Sequence, residues 1–146
     1  MYQLVQGQIQ SSKDSFLPYT LIQQERKGKS LCIVLPGLRY TVHSPALYYL
    51  TNLSLDLRMD VLHINYQYGQ HSFLSLTKGR QKAEIIQDVG LALDELLNKF
   101  QYSNFYLIGK SLGTIPMAYE LTHRGVASGK CGFTTLSPFS RRFPQF

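Results

Sequence analysis

Phe105-Tyr106-Leu107-Ile108-Gly109-Lys110-Ser111-Leu112-Gly113-Thr114 is the stretch around which the rest of the chain is arranged. Its first four residues form a short apolar run that suits a strand buried on both faces. Residues from about Leu112 to Thr122 read as a helix, so Gly109-x-Ser111-x-Gly113 bridges strand and helix directly. A turn that tight calls for glycine at 109 and 113, because a side chain at either would meet the neighbouring strand or helix. Ser111 is left projecting from the apex.

Two more buried strands precede this one. Leu31-Cys32-Ile33-Val34-Leu35 ends at Pro36-Gly37, and Val61-Leu62-His63-Ile64-Asn65-Tyr66 leads into a long loop. Between them Ser44 and Pro45 supply a helix cap and first position, with Ala46, Leu50, Leu53 and Leu57 on one expected apolar face. A further helix carries Ile86, Val89, Leu93, Leu96, Leu97 and Phe100 at helical spacing. Tyr2–Ile9 and Leu17–Glu25 flank the turn-rich Ser11–Ser15 and read as an antiparallel hairpin. Alternating strands and helices give an α/β class, with a mainly parallel sheet, helices on both faces and an antiparallel N-terminal hairpin. Gly132–Leu136 is a candidate last strand.

At 146 residues, with 44% apolar and 16% charged side chains, the composition is that of one globular domain. No apolar run approaches the ~20 residues of a membrane helix. The N-terminus lacks a basic flank followed by an apolar stretch, so no secretion signal is read and a cytoplasmic location is expected. Cys32 is expected in the core, and neither it nor Cys131 belongs to a metal-ligand spacing. The net charge of +6 is uneven: residues 1–120 hold 11 Lys/Arg and all 9 Asp/Glu, and the remaining four basic residues follow. Nucleic-acid binders interleave basic and aromatic residues along a groove. Here only Ser140–Phe146 does so, and no nucleic-acid partner is expected.

Other glycine-rich motifs fail on their spacing. A phosphate loop needs glycine at position 104, where Asn104 stands. A dinucleotide fingerprint would keep three glycines, and Gly109-x-Ser111-x-x-Thr114 keeps one. No cofactor and no metal are expected.

Gly109-Lys110-Ser111-Leu112-Gly113 in its strand–turn–helix context resembles the nucleophile elbow of the α/β-hydrolase family. The resemblance runs over roughly residues 1–125. It implies an esterase, lipase or acyl-transfer activity on a small-molecule ester or acyl substrate, with Ser111 as nucleophile. Pro36-Gly37-Leu38 stands where many members carry His-Gly. The resemblance then makes the backbone N–H groups of Leu38 and Leu112 the oxyanion hole, with Arg39 a weaker substitute for Leu38. The plainer reading of Pro36-Gly37 is a turn that ends a strand.

A serine hydroxyl needs a base and an orienting acid, and the family places both after the serine. Only 35 residues follow Ser111, and they include one acid, Glu120, and one histidine, His123. Both fall on the expected elbow helix, where His123 would sit about 18 Å from Ser111 at ~1.5 Å per residue. His123 is therefore excluded as the base. His63 lies within a strand and reads as a packed core residue. His43 and His71 occupy loops at the sheet end where Ser111 emerges and are low-ranked base candidates, as is Lys110. The alternative is a truncated or inactive hydrolase-like fragment without the acid and histidine.

From Val126 onward the sequence loses the periodicity of the preceding part, so 126–146 is set apart as an atypical basic tail. Gly132–Leu136 would form an open edge and invite self-association. The tail is expected to be a replacement for the family's usual continuation, produced by a change of reading frame. Translation of the coding DNA past codon 125 in the other frames is expected to give further strands with an Asp and a His. If neither frame encodes them, the replacement idea fails.

Overall fold

A computed structural model of the chain describes residues 1–11, 16–25, 30–37, 41–66, 68, 71–124 and 132–136. The elements are β1 (Tyr2–Gln10), β2 (Phe16–Gln24), β3 (Ser30–Leu35), α1 (Pro45–Asp56), β4 (Asp60–Ile64) and α2 (His71–Leu74). They continue with α3 (Lys78–Lys99), β5 (Asn104–Lys110), a 3₁₀ turn over Ser111–Gly113, α4 (Thr114–His123) and β6 (Gly132–Leu136). Expectations that fall on 125–131 and 137–146 lie outside the described residues.

The six strands form one sheet in the order β1-β2-β4-β3-β5-β6. β1 pairs with β2 and β2 with β4 in antiparallel fashion, whereas β4, β3, β5 and β6 run parallel. The sheet is thus mixed, with the expected hairpin at one side of a four-stranded parallel block. β3 lies between β4 and β5 and is buried along Leu31–Leu35, which explains its continuous apolar run.

Helices cover both faces. On one, Leu31, Ile33, Leu35, Leu62, Ile64 and Leu107 pack against Ile85, Val89, Ala92, Leu93 and Leu96 of α3 and Met117 of α4. The buried stripe of α3 follows the expected spacing, with Ile85 in the fully buried place foreseen for Ile86. On the other face Cys32, Val34, Val61 and Ile108 meet Leu47 and Leu55 of α1. Burial pushes the Cys32 thiol up to about 11, with the Ser54 hydroxyl acting in the opposite direction.

α1 departs from the sequence expectation. Its buried residues are Leu47, Thr51, Ser54 and Leu55, whereas Leu53 is 41% and Leu57 64% exposed. The helix is rotated so that two hydroxyls face inward, one with a partner on β4 and the other bonded within its own helix. Thr51 Oγ1 lies 2.9 Å from His63 Nε2, and Ser54 Oγ donates to Leu50 O at 2.8 Å. A satisfied hydroxyl is buried at little cost, so apolar periodicity alone picks the wrong face.

Asp60, the first residue of β4, is also buried and paired. It accepts from Gln24 N at 2.9 Å and from the Tyr102 hydroxyl at 2.8 Å. A second ionic group joins α3 to α4: Arg124 bonds the buried Glu120, Asp94 Oδ1 at 2.7 Å and the Gly90 carbonyl at 3.0 Å.

Burial beneath α1 lowers the His63 pKa from 6.5 to about 4, with the charge of His43 a smaller contribution in the same direction. Between those pH values the unfolded chain binds a proton that the folded chain does not, so stability falls as pH drops from above 6.5 toward 4. The expected loss is on the order of 3 kcal/mol. Urea melts across this range measure it, and His63→Gln should flatten this part of the profile.

Candidate active site

Ser111 sits directly between β5 and α4, with its backbone at φ 50°. Left-handed backbone costs an L-residue roughly 1–2 kcal/mol. One other described non-glycine residue has a positive φ, Arg58 at 61°, and there the cause is ordinary helix termination. Arg58 N donates to Leu55 O and Met59 N to Ser54 O as α1 ends. Ser111 stands before a helix, where no such closing bond requires the conformation. The side chain is exposed, and Thr114 Oγ1 donates to Ser111 O at 2.6 Å, tying the turn to the first residue of α4.

The flanking glycines leave no room for a side chain. A methyl group on Gly113 would fall inside the van der Waals envelope of Leu35 O and lie 2.8 Å from Pro36 O. One on Gly109 would lie 2.8 Å from Gly113 O and 3.1 Å from Met117 Sδ. The turn is therefore pressed against the C-terminal end of β3 on one side and against its own helix on the other.

The C-terminal end of β4 reaches the same place. The buried Tyr66 hydroxyl donates to Pro36 O, so the segment leaving β3 is held from one side by Tyr66 and abutted from the other by Gly113. Burial raises the Tyr66 pKa, keeping the hydroxyl protonated as a donor. Tyr66 is followed by an aromatic row: its ring centroid is 4.9 Å from that of Tyr68, and Tyr68 stacks on Phe73 at 4.4 Å. Tyr68 also donates to Asp88 Oδ2 at 2.6 Å. The sequence reading left these tyrosines without a role. A tyrosine directly after a buried strand, on the loop side that faces the Ser111 turn, was the available signal.

The other candidate residues are scattered. Leu38 and Arg39 lie outside the described residues, whereas Leu112 occupies the 3₁₀ turn beside Ser111. His71 opens α2 after the loop that follows β4, and its side chain lies outside what is described. His43 is exposed just before α1. His63 is held by Thr51 in the core. Lys110 is the last residue of β5.

Glu120 is bound to Arg124, and His123 stacks on Tyr119 at 3.8 Å with its Nδ1 2.9 Å from Tyr119 O. Both lie well along α4 from Ser111. Asp60 is level with Phe105 across the β3 ladder, six residues before Ser111, or roughly 20 Å along the strand direction. Among the described residues no cluster of three or more His, Cys, Asp and Glu could hold a metal.

Solved structures share this fold. A putative hydrolase from Agrobacterium vitis superimposes with a TM-score of 0.63 at 15% identity, over 92% of this chain and 52% of its own. For an esterase from Pyrococcus furiosus the values are 0.67, 16%, 88% and 50%. A putative α/β hydrolase from Agrobacterium tumefaciens gives 0.67, 17%, 90% and 59%. The chain has the α/β-hydrolase fold and spans about half the length of these structures. No protein-family model and no curated protein matches it. Among the described residues, no helix is long and apolar enough to cross a membrane.

The packing at the turn sets a mutational contrast. Gly113→Ala is expected to cost at least about 3 kcal/mol, since the methyl meets the main chain of β3 and cannot be relieved by a rotamer change. Gly79→Ala, in the first turn of α3 with open space around it, is expected to gain up to about 1 kcal/mol. Urea melts of the two variants test this. Equal midpoints would contradict the close approach.

Proposed function

We propose that this chain is a serine hydrolase acting on an ester or related acyl bond, with Ser111 as the nucleophile. The observation that carries the reading is the backbone of Ser111 itself. An exposed hydroxyl is held at positive φ between a parallel strand and a helix by two glycines that admit no side chain. Strain of this kind is retained where the surroundings over-determine it, and such positions cluster at functional sites. The turn is the nucleophile elbow of this reading.

In the proposed reaction the Ser111 hydroxyl loses its proton to a base as Oγ attacks the acyl carbon. The carbonyl oxygen becomes an oxyanion, stabilised by the Leu112 N–H and by the Leu38 N–H from the loop after β3. The N-terminus of α4, directly after the turn, adds a favourable dipole. Collapse expels the alcohol, which takes up the proton, and water then releases the acid by the same route. His71 and His43 are the base candidates within this chain. The proposed setting is cytoplasmic, and the buried thiol of Cys32, which forms no disulfide, is compatible with it.

A second reading is a hydrolase-like chain without turnover, and a specific observation favours it. Glu120 and His123, the acid and imidazole that follow Ser111, are engaged with Arg124 and Tyr119 away from the turn.

The two readings separate in one experiment. Under the first, the chain hydrolyses p-nitrophenyl esters and Ser111 is labelled by a fluorophosphonate. Ser111→Ala should then abolish labelling and lower kcat/KM at least about a thousandfold, since nucleophile and base act as a unit. A folded wild-type chain that neither labels nor hydrolyses establishes the second.

A further inference from the structure

We infer that β1 is an interaction edge, and that its partner is a second copy of this chain joined strand to strand in antiparallel orientation. β1 is the terminal strand of the sheet on its side. It pairs with β2 over its whole nine-residue length, from Tyr2↔Gln24 to Gln10↔Phe16, without a bulge. β2 uses one side of this main chain. From Gln3 to Gln8 the alternate N–H and C=O groups point away from the sheet and require either water or another strand.

Sheet proteins ordinarily protect such a strand by shortening it, bulging it or placing lysine or proline on it. Tyr2-Gln3-Leu4-Val5-Gln6-Gly7-Gln8-Ile9-Gln10 has none of these devices and no charged residue. Its two sides differ. Val5 and Ile9 face the core shared with α3. Tyr2, Leu4, Gln6 and Gln8 lie on the opposite face by strand alternation. There Tyr2 is 53% and Leu4 63% exposed, and Phe16 of β2, opposite Gln10 at the other end of the hairpin, is 63% exposed.

The occupant follows from charge and symmetry. A strongly charged partner strand would find no complementary charge along β1. A second copy finds its own surface, and a twofold axis makes the pairing reciprocal. The register that pairs all nine residues sets Gln6 opposite Gln6 and Leu4 opposite Gln8. A primary amide both donates and accepts, so two facing glutamines satisfy each other. The chain carries a net charge of +6, yet no cation of either copy lies on the paired strands, so like charges do not meet across the seam. The sequence expectation placed self-association at the other side of the sheet, on Gly132–Leu136. β6 is the terminal strand there, and β1 is the edge whose side chains define a partner.

The test is sedimentation velocity of the full chain over a wide concentration range, at low and high salt. A reversible monomer–dimer equilibrium is expected. Gln6→Lys and Gln6→Glu should each weaken the dimer roughly tenfold at low salt, with thermal melting of the diluted monomer unchanged. An equimolar mixture of the two should restore it. In the wild type, amide hydrogen exchange of residues 3–8 should slow as concentration rises, a readout that needs no variant. A monomer at every concentration, a dimer indifferent to both substitutions, or exchange at β1 independent of concentration would each overturn the inference.

Discussion

The close approach of Gly113 to the carbonyls of Leu35 and Pro36 is the contact on which the arrangement of this molecule depends. It brings the start of α4 against the end of β3 with no side chain between them. Helix and strand approach that closely only where one partner lacks a Cβ. The consequence is local strain: the chain must turn from β5 into α4 within three residues, and Ser111 takes up the left-handed backbone that the turn imposes. Tyr66 closes the arrangement from β4 by donating to Pro36 O, so three parallel strands in succession contribute to a single turn.

Much of this was legible from residue types because the constraints involved are local. Glycine at 109 and 113, three apolar runs and a hairpin each have a short-range physical cause. The failure at α1 shows where such reasoning stops. Leu53 and Leu57 look like core residues and are exposed, while Thr51 and Ser54 look like surface residues and are buried. What reverses them is a histidine on a strand seven residues after the helix, which offers Thr51 a hydrogen bond. No periodicity within α1 encodes that partner.

The candidate site divides in the same way. Ser111 and its glycines are recognisable because a tight turn restricts which residues can occupy it. A base is specified by proximity in space: spacing sets His123 far along the helix and His63 within a strand, but nothing in it ranks His43 against His71. The structure shows two of the four engaged elsewhere: His63 lies against Thr51, and His123 is stacked on Tyr119 at the far end of α4. For Tyr66 the position after a buried strand is visible in the sequence, but its partner is not. Its hydroxyl acts on a carbonyl thirty residues earlier in the chain, and only the pairing of β3 with β4 brings the two together.

The distribution of negative charge fits the proposed chemistry. An oxyanion forming at the Ser111 turn would be disfavoured by a buried carboxylate nearby, because in a poorly hydrated site like charges interact strongly. The two most deeply buried acids described lie elsewhere. Asp60 is at the opposite end of the sheet with Tyr102 and Gln24, and Glu120 is two turns along α4 with its charge balanced by Arg124. What the fold brings to the Ser111 turn from its own main chain is instead the first N–H groups of a helix, whose carbonyls point away from the serine. Tyr66 joins them as a proton donor to the adjoining strand end, and it adds no negative charge because burial keeps it neutral. These two carboxylates thus stabilise the scaffold at a distance from the serine, while Asp88 accepts from the Tyr68 hydroxyl in the aromatic row that follows Tyr66.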